Sequence, residues 1–177
     1  TYYALLDLGN ILLFEPGDAE ARARFTLAAE RLLAWQKADG RWEVGYRRHD
    51  ERPVFTDLTD YRPTFYGLLV AYRVLGDTKY LEAARKGADW LVAHAVNPGR
   101  FLGVCGDARF VPDFATAQIA QALLDLHEVT GEVAYRDAGI AAARFYTTSI
   151  YTHPVAKTAP RQVKGRTLPE WMINQSG

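Results

Sequence analysis

Between Gln36 and Arg62 the sequence concentrates side chains that could do chemistry. Trp42, Tyr46, Arg47, Arg48 and His49 fall within eight residues, and Tyr61 and Arg62 follow a little further on. Aromatic faces stack on the apolar face of a sugar ring, and the arginine fork pairs with a carboxylate. The stretch "RWEVGYRRHD" therefore holds the parts needed to grip an acidic sugar. A base and a cation suited to removing a proton next to a carboxylate are also present, as His49, Tyr46, Tyr61 and Arg62 here and as His153, Arg161, Lys164 and Arg166 near the end of the chain. Trp42 has a competing use: Gln36, Gly40 and Trp42 match the Q-x-x-x-G-x-W spacing that ties neighbouring helices together in terpenoid cyclases. "DLTD" lacks the acidic cluster with which those cyclases protonate an alkene.

These residues need a scaffold. Hydrophobic periodicity predicts helices over Tyr2 to Phe14, Ala19 to Lys37, Tyr61 to Leu75, Thr78 to Ala95, Asp113 to Val129 and Glu132 to Ser149, with few strand signals. Pro16-Gly17-Asp18, Gly76-Asp77 and Thr130-Gly131 supply turn and cap chemistry within three helical pairs. The pairs repeat with a period of 55 residues: Leu68 and Leu69 recur as Leu123 and Leu124, and Gly76 as Gly131. Three series run through all pairs: Ala28, Ala83 and Ala138; Phe25, Tyr80 and Tyr135; Trp35, Trp90 and Phe145. Small residues let helices approach closely and aromatics fill the space between pairs, so the fold expected is all-α, built of stacked antiparallel hairpins. Such aromatics are core and not a cofactor site. Residues 1–153 form the helical domain in this reading, and residues 154–177 an extended tail or linker.

Composition excludes several function classes. The 177 residues carry 21 basic and 21 acidic side chains with no long block of one sign, which gives no footprint for nucleic acid. No run of about 18 apolar residues predicts a membrane span. Cys105 is the only cysteine, so neither an intrachain disulfide nor a multi-cysteine metal site is available. The four histidines are isolated, without metal-ligand spacing, and no phosphate loop or dinucleotide fingerprint occurs. No cofactor and no metal are expected. His94 suits a helix C-terminus, and His127, aligned with Tyr72 in the repeat, suits packing.

Three stretches carry a resemblance. "LLAWQKADGRW", "DLTDYRPTFYGLLVAYRVLGDTKYLEAARKGADWL" and "VPDFATAQIAQALLDLHEVTGEVAYRDAGIAAARF" together resemble the α/α toroid, or six-hairpin, carbohydrate-active enzymes. The third is similar to the unsaturated glucuronyl and rhamnogalacturonyl hydrolases; toroid polysaccharide lyases share the architecture. The resemblance implies a glycoside hydrolase acting on a uronic-acid-containing oligo- or polysaccharide, with a lyase or a non-catalytic glycan- or protein-binding helical module as alternatives. Two aspartates at inner-helix starts then fall on Asp113, as general acid/base, and Asp60, as its partner. An N-cap uses the same residue at the same place, and Asp57 competes with Asp60. Trp42, Tyr46, Arg47, His49, Tyr61, Arg62 and Arg109 are the implied substrate contacts. The family closes a ring from about six hairpins and this sequence has three, so the remainder of the same protein or a partner chain is expected to complete the ring.

Overall fold

A computed structural model describes residues 2–101, 114–148 and 161–168. The protein is all-α, with six α-helices in consecutive antiparallel pairs: α1 (Tyr2–Phe14) with α2 (Ala19–Ala34), α3 (Phe65–Leu75) with α4 (Thr78–Leu91), and α5 (Phe114–Thr130) with α6 (Val133–Thr147). A π turn, Val92–Val96, prolongs α4. Two short antiparallel ladders accompany the helices, β1 (Gly45–Tyr46) with β2 (Pro53–Val54) and β3 (Arg161–Val163) with β4 (Arg166–Leu168). The second lies in the stretch expected to be an extended tail, and neither was signalled by alternation because each strand has only two or three residues.

Local chemistry fixes the helix ends. The Asp18 carboxylate accepts from the Ala21 amide at 2.9 Å and the Asp77 carboxylate from the Lys79 amide at 3.0 Å, each satisfying an orphan donor at a helix start. The expected beginning of α3 at Tyr61 is corrected to Phe65. Pro63 disfavours helical backbone at Arg62, so Tyr61 and Arg62 stay in the connection and Thr64 becomes the cap residue. Helix α2 ends at Ala34, three residues earlier than its periodicity suggested, because the Gln36–Trp42 turn takes over the chain.

The core is continuous across the pairs. On α1, Leu5, Gly9 and Leu12 are buried against α3; a Cβ at Gly9 would sit 2.5 Å from Val70. Phe25, Tyr80 and Tyr135 of the aromatic series are all buried, as are Ala83 and Ala138, while Trp35, Trp90 and Phe145 are half-buried at the layer's edge. The pairs are also tied by tyrosine hydroxyls: Tyr80 donates to Glu30 at 2.5 Å, Tyr66 to Asp125 at 2.5 Å and Tyr135 to Asp89 at 2.8 Å. Helices α5 and α6 pack closely on each other and reach the second pair through α6 against the π turn, through Phe101 on Phe145, and through Arg73 and Arg85 paired with Asp125 and Glu132. Leu13, Phe14 and Leu27 of the first pair stay largely exposed.

Another close approach lies where the long connection crosses α4. A Cβ at Gly87 would stand 2.7 Å from the Trp42 ring and 2.9 Å from Phe65 Cβ. We expect Gly87→Leu to cost about 2–3 kcal/mol of stability, read from the urea midpoint, since overpacking forces ring and helix apart. Gly17→Ala, whose Cβ would meet nothing within 4 Å, is the near-neutral control.

The tyrosine ties make a second prediction. Burial and the Glu30 carboxylate push the Tyr80 hydroxyl up from about 10 to about 12, and burial with Asp125 or Asp89 raises Tyr66 and Tyr135 in the same direction. The folded state therefore holds these protons more tightly than the unfolded chain, so the Tyr80 contribution is complete below pH about 10 and is lost as pH rises through about 12, with those of Tyr66 and Tyr135 lost at higher pH still. Unfolding free energy measured against pH should fall over that window, and the fall should shrink in Tyr80→Phe/Tyr135→Phe.

Candidate functional site

The connection from α2 to α3 is anchored before it can present anything. Gln36 Nε2 donates both to the Gly40 carbonyl at 2.9 Å and to the Ala83 carbonyl of α4 at 2.9 Å. Gly40 adopts φ +102 with the Lys86 carbonyl 2.4 Å from where a Cβ would be, so no other residue fits there. Trp42 then turns back under the connection, 5 % exposed, its indole N–H donating to the Leu32 carbonyl at 2.8 Å. Gln36, Gly40 and Trp42 thus act as the helix-tying motif that their spacing suggested. The expectation that Trp42 offers its face to a sugar is corrected: the ring is spent on Gly87 and Phe65.

Other aromatics of the stretch are also partnered. Tyr46 stacks on Trp35 at 4.3 Å and its hydroxyl donates to the Trp35 carbonyl at 3.3 Å, so one ring face is closed. Tyr61 stacks on Trp90 at 5.8 Å, and Trp90 on His94 at 4.7 Å, a column of three rings beside the start of α3. His94 Nδ1 lies 2.8 Å from the Trp90 carbonyl, which assigns the proton to Nδ1. His49 is exposed on the β1–β2 turn, 3.6 Å from Asp50, and Arg47 and Arg48 are exposed beside it. His127 Nδ1 lies 2.9 Å from the Glu132 carbonyl and the residue is half-buried, a structural placement.

Asp60 and Arg62 form the polar centre. Arg62 Nε and Nη2 lie 2.6 and 3.0 Å from the two Asp60 oxygens, a bidentate fork, and Nη2 also donates to the Val44 carbonyl at 2.5 Å. The Asp60 carboxylate further accepts from the Arg62 amide at 3.1 Å and from the Thr64 hydroxyl at 3.3 Å. It is 7 % exposed and lies five residues ahead of α3, so its expected place at the helix start is corrected. Among the described residues its hydrogen bonds all go to Arg62 and Thr64, which suits a residue that aims Arg62. The Asp60 charge holds the Arg62 guanidinium protonated more firmly than usual, against the opposing effect of burial. Three of its five N–H donors are used; the two on Nη1 have no partner among the described residues.

Two further residues meet this centre that the sequence did not single out. Tyr2 and Tyr3 both donate to Gln118 Oε1 of α5, at 2.8 and 2.9 Å, and their rings stack at 4.3 Å. Burial pushes the Tyr2 hydroxyl well above the ordinary tyrosine value, so it remains a donor. Arg62 and Asp60 are close enough to act on Tyr2 electrostatically. The amino-terminal ends of α1, α3 and α5 therefore converge, with the Gln118 amide pinned through its oxygen and its two N–H donors unspent among the described residues. A contact between residues 116 apart leaves no local signature, which is why periodicity missed it. Beside the fork, a shallow cleft lined by Arg41, Trp42, Asp60, Arg62, Thr64 and Trp90 has room for roughly one water-sized group.

Asp113, Arg109, Cys105 and His153 lie outside the described residues, as does the Arg161 side chain; Lys164 and Arg166 are exposed on the β3–β4 hairpin. Among the described residues no three His, Cys, Asp or Glu side chains cluster as metal ligands, and no helix is long and apolar enough to cross a membrane.

If Asp60 positions Arg62, its neutral isostere must unsettle the fold. Asp60→Asn should lower unfolding free energy by about 3 kcal/mol, because a half-buried guanidinium loses its counter-charge. Unchanged stability in denaturant would return Asp60 to the list of free carboxylates. Comparison of the chain with protein-family models, curated proteins and solved structures finds no match, so the argument for function rests on this geometry and on the sequence.

Proposed function

We propose that this chain is the part of an α/α toroid carbohydrate-active enzyme that binds a uronic-acid-containing oligo- or polysaccharide at the convergent ends of α1, α3 and α5. The carrying observation is the pair of pinned donors. Arg62 is fixed by Asp60 and the Val44 carbonyl and Gln118 by two tyrosines, and each has N–H groups with no partner among the described residues on the same polar patch. Donors held by their own partners lose little freedom on binding, and a charged guanidinium N–H, here on Nη1, favours a carboxylate over a hydroxyl. Repeated hairpins and the resemblance to uronyl hydrolases support the same reading, and the exposed Leu13, Phe14 and Leu27 support further helical elements, in the same protein or a partner chain, completing the ring.

Hydrolysis is the preferred chemistry. Asp113, immediately ahead of α5 in the sequence, is the proposed general acid/base: its proton goes to the glycosidic or enol-ether group as water adds and the bond to the leaving alcohol breaks. Asp60 is a positioning residue in this scheme. A lyase would instead take a proton next to the carboxylate with Tyr61 or His49 as base, and the product would carry a new double bond that absorbs in the ultraviolet.

Turnover and binding across a panel of uronides and matched neutral glycans test the proposal. Arg62→Gln should weaken uronide binding by about tenfold to a hundredfold, the scale of one charge-assisted hydrogen bond, and leave neutral glycans unaffected. Asp113→Asn should abolish turnover with binding retained. Uronide binding without product in the native protein would favour the non-catalytic module, and no uronide binding at all would remove the reading.

A further inference from the structure

Phe55 is held in a backbone conformation its side chain disfavours, with its ring outside the core. It is 63 % exposed and sits at φ +57, in the left-handed region that a bulky side chain avoids. The conformation is enforced from both sides: the β1–β2 ladder pairs the preceding Val54 with Gly45, and the Leu58 amide closes a turn onto the Phe55 carbonyl at 2.9 Å. Arg62 adds a third constraint by clasping Val44, next to that ladder. Strain kept by surrounding structure, with no burial in return, points to use of the ring itself.

The same hairpin carries unbalanced positive charge. Asp50 is taken by Arg52 and Glu51 by Arg31 of α2, so the acids of the turn are already paired. Arg47 and Arg48 are exposed and have no ion-pair partner among the described residues. Asp57, beyond Phe55 in the chain, is exposed as well and opposes an anion there. Six residues separate Phe55 from Arg62, which limits the distance to about 25 Å even for an extended chain, and the turn at Leu58 shortens it. A ligand of several rings can reach both.

We propose that the β1–β2 arm, through the Phe55 ring and the Arg47 and Arg48 guanidiniums, is a second contact site for an acidic polysaccharide, engaging the part of the chain that extends beyond the Arg62 patch. The proposal rests on the uronide reading and extends it from the bound sugar to chain length. A repeating polymer with apolar ring faces and regularly spaced carboxylates matches an arm that carries an exposed aromatic ring after one end of its ladder and two exposed guanidiniums after the other. Engagement at two linked places makes the second contact intramolecular.

The test compares a galacturonate dimer with polygalacturonate by calorimetry, on the intact protein and on Phe55→Gly, Arg47→Ala/Arg48→Ala and Asp57→Asn. Phe55→Gly removes the ring and relieves the backbone, so it should melt at or above the native temperature while binding the polymer roughly tenfold more weakly. The arginine pair should weaken polymer binding in a salt-dependent way and Asp57→Asn should tighten it, while dimer affinity should not move in Phe55→Gly or Asp57→Asn. Polymer affinity unchanged in Phe55→Gly overturns the proposal, as does a native protein that binds dimer and polymer equally per site. If the native protein binds neither, the uronide reading fails. Equal binding of dextran sulfate, with no loss in Phe55→Gly, would show bare charge attraction and also overturn it.

Discussion

The absence of a side chain at Gly87 lets the Trp42 ring lie directly on α4, and the arrangement of the polar patch depends on that contact. From it the Gln36 amide reaches the Ala83 carbonyl, the Gly40 turn closes over Lys86, and the chain is delivered to β1 at a defined height on the scaffold. Only then can the Val44 carbonyl meet Arg62. A connection of some thirty residues that would otherwise be loose is converted into a rigid arm by one buried ring and one bridging amide.

That rigidity gives the electrostatics their meaning. A guanidinium forked by Asp60 and braced by a carbonyl is aimed, and its remaining edge is presented without reorganisation. The two tyrosines do the same for Gln118 across the gap between α1 and α5. Bringing these groups together requires all three helix pairs, so the patch is a property of the stack and not of any one hairpin. The tyrosine-to-carboxylate ties between pairs, at Glu30, Asp89 and Asp125, keep the stack in register away from the patch.

Much of the scaffold was legible in the sequence because its cues are local. Helical periodicity, the Asp18 and Asp77 caps and the Gly76 stop place the helices to within a few residues. The spacing of Gln36, Gly40 and Trp42 announced a tie between helices, yet the same Trp read equally well as a sugar platform, because burial depends on α4 offering a glycine opposite it. Tyr61 and Arg62 look helical by period, and Pro63 overrides that period. Asp60 carries the composition of a catalytic carboxylate or a cap, and only the fork to Arg62 gives it a positioning role. Tyr2, Tyr3 and Gln118 were illegible, since each is unremarkable in its own helix and they meet through the fold.

The polar patch depends on the α2–α3 connection being a fixed arm. Native-state amide hydrogen exchange reads this without any ligand. The Lys37, Arg47 and Arg62 amides, bonded to the Arg41 carbonyl, the Arg52 carbonyl and the Asp60 carboxylate, should exchange as slowly as interior amides of α3 in the native protein. In Trp42→Ala they should lose that protection while α5 and α6 keep theirs. Exchange of these three amides at the rate of an open loop in the native protein would contradict a fixed arm.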